Sequence, residues 1–185
     1  YNTVASLAAL TVFSYDELGN LLATQTPSPI PPERRYFGST SALGLPAGTA
    51  WFKIVSTQPL SGFELFGTID DEQLGPYAGN GSTGVKSGVF AKIERLGWTG
   101  IAFVNTEDAA ATITLTAYDD TGREVGSRTI TVRAHEKVVR QADAIFTSQD
   151  VSSATYIAFT SDRNVVGFQL NGSADWAMLD GLPAM

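Results

Sequence analysis

The sequence predicts an all-β protein built from two tandem antiparallel β-sandwich units, with at most one short helix in each unit. Parts of the first half return in the second: residues 15–19 return as residues 118–122, and residues 62–67 return as residues 167–172. Apolar and polar residues alternate in short segments, which is typical of half-buried strands. Charged residues make up only 17% of the chain, and this composition favours β-structure with many turns over helical bundles.

The first repeat begins with an alternating strand and a tight turn. Residues 10–15 alternate, residues 16–19 supply Asp and Gly for the turn, and residues 21–26 form the return strand. A later pair of strands begins at Ala50. We expect four apolar side chains of that pair to point inward: Phe52, Ile54, Phe63 and Leu65.

The second repeat shows the same order of elements. Residues 113–118 alternate between an apolar face and a Thr-rich face, residues 119–122 form the turn, and residues 124–132 form the return strand. A helix-like spacing of apolar residues predicts one short helix at residues 136–145. The inward residues of the later strands are expected to be Ile157, Phe159, Phe168 and Leu170.

The two repeats differ in two places. The first has a proline-rich stretch at residues 27–32, which predicts a sheet edge or an extended segment because proline cannot donate to a ladder. The second has a leading apolar strand at residues 100–104 that the first lacks. Either that strand has been removed, or another segment, in this molecule or in another, fills its place.

These boundaries divide the chain into three parts. Residues 1–79 are the first repeat, without its leading strand, and residues 90–185 are the second. Residues 80–89 are predicted to be a Gly/Ser-rich linker.

Four motifs of the second repeat resemble a tandem repeat of large exported bacterial surface proteins. They are residues 98–105 (Trp-Thr-Gly-Ile-Ala-Phe-Val-Asn), residues 117–119 (Ala-Tyr-Asp), residues 161–172 and residues 179–184 (Leu-Asp-Gly-Leu-Pro-Ala). The resemblance covers nearly all of the second repeat and most of the first. It implies immunoglobulin-like β-sandwich units in a secreted or cell-surface protein, and it supplies no catalytic residues.

Charge and cysteine content exclude several classes of function. With 12 basic and 19 acidic residues the net charge is −7, which argues against binding to nucleic acid or to anionic membranes. No apolar run is long enough for insertion into a membrane. The absence of cysteine excludes disulfides and Cys-ligated metals. The chain begins without Met, as expected of a mature or trimmed chain.

Two features imitate catalytic or binding motifs. Residues 79–84 fit the Gly-x-Gly-x-x-Gly spacing, but neither a strand before it nor a helix after it is predicted, so we interpret the segment as a linker. His135 is the single histidine, and a Ser-His-Asp triad or a His-ligated metal would have to use it. It aligns with Pro32 of the first repeat, which indicates a turn.

Acidic clusters occur at residues 70–72 and 119–120. Carboxylate pairs serve glycoside hydrolysis or bind Ca²⁺, but neither cluster has the alternating spacing of a calcium loop. Asp70 recurs as Asp175, which favours a structural turn in both repeats. We expect no cofactor, with a weak Ca²⁺ site as the alternative.

Exposed aromatic residues are the candidate contact residues. Trp51 alternates with the inward residues of its strand, so it should lie on the outer face, with Tyr156 as its counterpart. Such residues either stack on carbohydrate or pack against a partner, and packing against the neighbouring unit is the simpler interpretation. The candidates are Trp51, Trp98, Tyr156 and Trp176.

The sequence therefore predicts a non-catalytic structural or adhesive module of a secreted or cell-surface bacterial protein. Its expected partners are other copies of itself or neighbouring repeats. Assembly into a filament or coat would use strand complementation at the open edge of the first repeat. The alternative is a carbohydrate-binding module attached to an extracellular enzyme. A third hypothesis, an enzyme, would need His135 or a carboxylate pair in a pocket.

Overall fold

The computed structural model describes residues 1–67, 74–78, 84–175 and 177–184, and all strand pairs in them are antiparallel. The all-β prediction is thus confirmed. The strands are β1 (Leu10–Tyr15), β2 (Leu21–Gln25), β3 (Trp51–Ser56), β4 (Phe63–Gly67), β5 (Leu74–Ala78), β6 (Val85–Phe90), β7 (Gly97–Asn105), β8 (Ala111–Tyr118), β9 (Glu124–Val132), β10 (Lys137–Gln141), β11 (Tyr156–Ser173) and β12 (Leu179–Pro183). One α-helix, α1 (Ala142–Ile145), and one 3₁₀ turn (Ser41–Leu43) accompany them in these ranges.

The second repeat is built around the long strand β11. Its first half pairs with β8 on one edge and β6 on the other, and its second half pairs with β7 and β12. The register shifts between Thr160 and Val165, so the sheet curls there and its two halves enclose one core. The core residues are Phe90, Ile101, Phe103, Ala111, Ile113, Leu115, Ala117, Val132, Ala142, Ile145, Phe146, Ala154, Ile157, Phe159 and Val165.

The first repeat has a smaller sheet and a smaller core. The sheet has the order β2-β1-β3, and β4 and β5 form a separate hairpin. The buried cluster contains only Ala8, Leu10 and Ile30, with Leu60 packed against it. By strand pairing, β1, β2 and β3 correspond to β8, β9 and the first half of β11, while β4 and β5 correspond to the second half of β11 and β12.

Two buried asparagines, one in each repeat, make equivalent hydrogen bonds. The Asn2 side-chain amide donates to the carbonyls of Ser6, Ile30 and Pro31. The Asn105 amide donates in the same way to the carbonyls of Ala109, Val132 and Arg133. Each side chain therefore fastens the segment just before the first hairpin of its repeat (β1–β2 or β8–β9) to the loop that follows the return strand.

The helix predicted at residues 136–145 is mostly wrong. Residues 137–141 form β10, which pairs with β7, and only Ala142–Ile145 is helical. Pairing with β7 satisfies the backbone groups of this segment, and Val138 packs on the core from the strand. Tertiary pairing thus outweighs a helix-like spacing of apolar residues.

The predicted linker is also shorter than expected. Residues 85–89 belong to β6, which pairs with β11 and ends at the fully buried Phe90. Residues 79–83 lie outside the described residues. Gly88 and Phe159 are paired in the ladder between β6 and β11, so the glycine belongs to a strand and not to a flexible connection.

In the later pair of strands of each repeat, the inward-facing residues were predicted correctly only for the first half of β11. Ile157 and Phe159 are 1% and 2% exposed, whereas Ile54 in β3 is 44% exposed. In the second half of β11 the amides of Gln169 and Asn171 point inward, so Phe168 and Leu170 lie on the other face. Phe63 and Leu65 of β4 are likewise exposed rather than buried.

Candidate interaction sites

The two repeats meet at an aromatic pair on the outer face of the first. Tyr15 and Trp51 are cross-strand neighbours on β1 and β3, and their rings stack with centroids 4.4 Å apart. Cross-strand aromatic pairs stabilise a sheet and offer a flat apolar surface. Burial, and then the negative charge of Asp108 in the second repeat, raise the pKa of Tyr15.

The loop between β9 and β10 of the second repeat lies on this pair. The His135 ring stacks on Tyr15 at 5.0 Å, and the Trp51 indole N–H donates to the His135 carbonyl at 2.9 Å. Lys137 adds two bonds: its N–H donates to the Glu17 carbonyl at 3.2 Å and its ammonium to the Ala50 carbonyl at 2.8 Å. The contact is therefore both stacked and hydrogen-bonded.

Gly19 lets the two repeats approach at this point. Its φ is +87°, and a Cβ at this position would lie 2.7 Å from the carbonyl carbon of His135. Any side chain would force the loop away. The sequence predicts only a turn at Gly19, and its recurrence as Gly122 does not reveal that the two positions have different surroundings.

The second repeat carries the same aromatic pair in a different setting. Tyr118 and Tyr156 stack at 5.1 Å with rings 14° from parallel. Gly122 has φ of +79°, but nothing lies within 4 Å of its Cβ position. Arg95 flanks the pair, donating to the Ser153 carbonyl and lying 3.6 Å from Asp120.

Of the four candidate contact residues, Trp51 lies between the repeats and Tyr156 at the equivalent place on the second. Trp98 lines a cleft, and Trp176 lies outside the described residues. The contact residues His135, Lys137 and Glu17 were not predicted as an interface, because they are distant in sequence from Trp51.

A cleft lies beside Trp98 in the second repeat. Its volume is about 570 Å³, and its polar lining includes Glu94, Asp143, Asp150 and Gln149. The Trp98 ring lies across Gly172, where a Cβ would collide with the indole. An aromatic ring beside carboxylates and amides is the kind of surface that binds polar ring compounds.

A buried polar network supports the floor of this region. The Thr99 hydroxyl donates to Asn171 Oδ1 at 2.8 Å, and the Gln169 amide donates to the same oxygen at 3.0 Å. The Gln169 amide also donates to the Lys92 carbonyl, and the Glu94 N–H donates to Thr99. These bonds hold the loop between β6 and β7 on the sheet, which explains why polar side chains point inward here.

The acidic residues Asp119 and Asp175 accept hydrogen bonds within turns. The Thr121 hydroxyl, followed by the N–H and guanidinium of Arg123, lowers the pKa of Asp119 to about 2. Asp175 accepts from the Ser173 hydroxyl at 2.6 Å, as its predicted turn role requires. Within the described residues no group of three acidic or histidine ligands could hold a metal ion; residues 70–72 lie outside them.

His135 takes part in the contact between repeats. Its Nε2 lies 2.9 Å from Asp108 Oδ1, and its φ of 57° equals that of Glu33 (56°) within a degree. The structure therefore aligns His135 with Glu33, and not with Pro32 as the sequence suggested. The residue is a turn position, as expected.

The place beside Asn2 in the first repeat, called the slot below, has the surroundings that the end of β7 has in the second. In the second repeat β7 lies between β10 and β11, and Asn105 ends it, bonded to Glu136 and paired with Val165. In the first repeat Asn2 donates to the Arg34 carbonyl and pairs with Leu60, which is the same arrangement. In the described part of the chain, however, only the bonds of Tyr1 to Ser61 continue this ladder along the first repeat.

Neither a protein-family model nor a curated protein matches this sequence. Two solved structures are similar to parts of it. The crystal structure of Thermotoga maritima 1070 is 14% identical with a TM-score of 0.45, covering 55% of this chain and 94% of its own. The Anabaena sensory rhodopsin transducer is 18% identical with a TM-score of 0.37, covering 48% and 97% respectively. Likeness of this degree carries no argument about function.

Proposed function

We propose that this chain is a non-catalytic structural or adhesive module made of two tandem immunoglobulin-like units. It belongs to a secreted or cell-surface protein and assembles by strand complementation: the first repeat accepts a strand from a neighbouring repeat or a further chain. No helix among the described residues is long and apolar enough to span a bilayer.

The observation that carries the proposal is the slot beside Asn2. The second repeat gives the template for its occupant, because β7 fills the equivalent place with the buried side chains Ile101 and Phe103. On β4, the strand that flanks the slot, Phe63 is 69% and Leu65 52% exposed. They lie on the face that corresponds to the outer face of β11, so they mark an apolar outer surface beside the slot.

The first repeat has a second open edge, at the place that β6 fills in the second repeat. In the second repeat β6 pairs with the first half of β11, but β3, its equivalent, pairs only with β1 among the described residues. Unpaired backbone groups beside apolar side chains form a ready acceptor for an incoming strand. The occupant should therefore alternate small or apolar inward residues with polar outward ones, as β7 does.

The test is binding of a synthetic peptide with the sequence of residues 97–105. We expect it to bind, to add β-signal in circular dichroism, and to raise the free energy of unfolding by about 2.7 kcal/mol at 100 times its Kd. A control peptide with aspartate at the positions of Ile101 and Phe103 should have no effect. No change in stability with the first peptide would refute strand acceptance.

A carbohydrate-binding module is the second candidate, and the cleft at Trp98 is the observation that favours it. Sugar rings stack on aromatic faces while carboxylates and amides bind their hydroxyls. A bound glycan should quench Trp98 fluorescence, and the quenching should be lost in Trp98→Phe. A glycan array without hits would remove this candidate.

A further inference from the structure

The contact between the repeats is heterologous, since each repeat contributes a different surface. The first repeat contributes the seat, which is the Tyr15–Trp51 pair with its turn. The second contributes the plug, which is the loop at residues 133–137. Each repeat carries both surfaces, so one seat and one plug are left over in every molecule. A heterologous contact open at both ends can continue from molecule to molecule.

The left-over plug is the loop at residues 31–35. The Arg34 N–H donates to the Pro31 carbonyl at 3.2 Å, and the Glu136 N–H donates to the Arg133 carbonyl at the same distance. The positive φ at Glu33 matches that at His135, so the two loops share one backbone conformation. All residues of the left-over loop are exposed.

The left-over seat is the Tyr118–Tyr156 pair. Its turn has the hydrogen bonds of the first turn: Gly122 N–H donates to the Asp119 carbonyl, as Gly19 N–H donates to the Asp16 carbonyl. The space in front of Gly122 is open, whereas the plug fills the space in front of Gly19. The Tyr156 phenol stands where Trp51 presents its indole N–H.

The left-over surfaces carry charges that can pair. The plug carries Arg34 and Arg35 beside Glu33, and the turn of the seat carries Asp120, whose side chain is 77% exposed and lies 3.6 Å from Arg95. One contact made by Lys137 cannot recur, because the carbonyl of Thr155, the counterpart of Ala50, already accepts from the Ile93 N–H. Arg35, the counterpart of Lys137, therefore shares the Asp120 carboxylate with Arg95, and guanidinium groups also stack well on tyrosine rings.

We propose that a second molecule of this chain docks head to tail, its residues 31–35 on the Tyr118–Tyr156 seat of the first. This inference rests on the proposed structural function and names the partner and the surfaces. Repetition of the contact gives a polar row of molecules, in which the interface inside each chain and the interface between chains are built alike.

Sedimentation velocity over a range of concentrations tests the proposal. We expect the mean mass of the natural protein to rise with concentration beyond that of a dimer. Gly122→Asn should stay monomeric, because asparagine tolerates the positive φ of the turn but blocks the seat. Arg35→Glu should also stay monomeric, because it reverses the charge of the plug. An equimolar mixture should form dimers and nothing larger, since one good seat and one good plug remain.

Controls separate blocked contacts from damaged folding. Gly44→Asn places the same side chain at another glycine of positive φ with nothing within 4 Å, and Arg128→Glu reverses an exposed charge on β9. Both should associate like the natural protein. A natural protein that stays monomeric throughout, or a Gly122→Asn protein that associates normally, would overturn the proposal. Binding of the residue 97–105 peptide by Gly122→Asn would show that strand acceptance stands independently.

Discussion

Two equivalent asparagines, one in each repeat, show what a single residue contributes here. Asn2 and Asn105 are fully buried, and each amide donates to three carbonyls. The sequence shows that Asn recurs, but its role could not be predicted, since two of its three partners in each repeat lie nearly thirty residues away. Polar residues that recur at equivalent positions thus signal a non-local bond even when the partner is unknown.

The carboxylate of Asp119 gives a prediction at the same scale. Its pKa is lowered to about 2, first by the Thr121 hydroxyl and also by Arg123. The folded state binds this proton more weakly than the unfolded state, so its stabilisation is present above about pH 4 and is lost toward about pH 2. We expect Asp119→Asn to reduce the free energy of unfolding above about pH 4, and the deficit to shrink as the pH falls. Urea unfolding across this range measures it, and a deficit independent of pH would contradict the assignment.

At the scale of elements, alternation predicted strands better than it predicted their faces. β8 has the expected buried face, and β1 buries every second residue as well. A period of two divides a strand into two faces, but it does not say which face meets the core. In the second half of β11 the Lys92 carbonyl of the loop between β6 and β7 accepts from Gln169, and the Thr99 hydroxyl of β7 donates to Asn171. These partners reverse the expected orientation.

Equivalent strands should respond differently to the same substitution. Ile157 in β11 is 1% exposed and Ile54 in β3 is 44% exposed. Ile157→Ala should lower the free energy of unfolding by about 2–5 kcal/mol, because it leaves a cavity in a packed core. Ile54→Ala should cost about 1 kcal/mol or less, because much of its surface is already in water. Denaturant titrations of both variants check this, and equal losses would mean that β3 is as well covered as β11.

At the scale of the whole molecule, the sequence predicted two related halves but not how they meet. The near-repeat indicated the corresponding turns, and the hydrogen bonds of Asn2 match those of Asn105. The contact between the repeats could not be predicted, because it joins Trp51 to His135, 84 positions apart in the sequence, and depends on the positive φ of Gly19. Local sequence patterns predict the strands and turns within one repeat. Which of the two similar seats contacts the other repeat is decided by packing between residues that are distant in the sequence.

The eighteen residues of β11 have a consequence for how freely this chain can vary. β11 pairs with four other strands, and its inward side chains reach both halves of the core. A substitution in β11 that shifts its backbone or changes a side-chain volume disturbs all four neighbouring strands together, whereas a change in the loop at residues 37–49 disturbs less of the fold. Sequence changes should therefore accumulate in the exposed loops outside the seat and plug, and β11 should be the slowest part of the sequence to diverge.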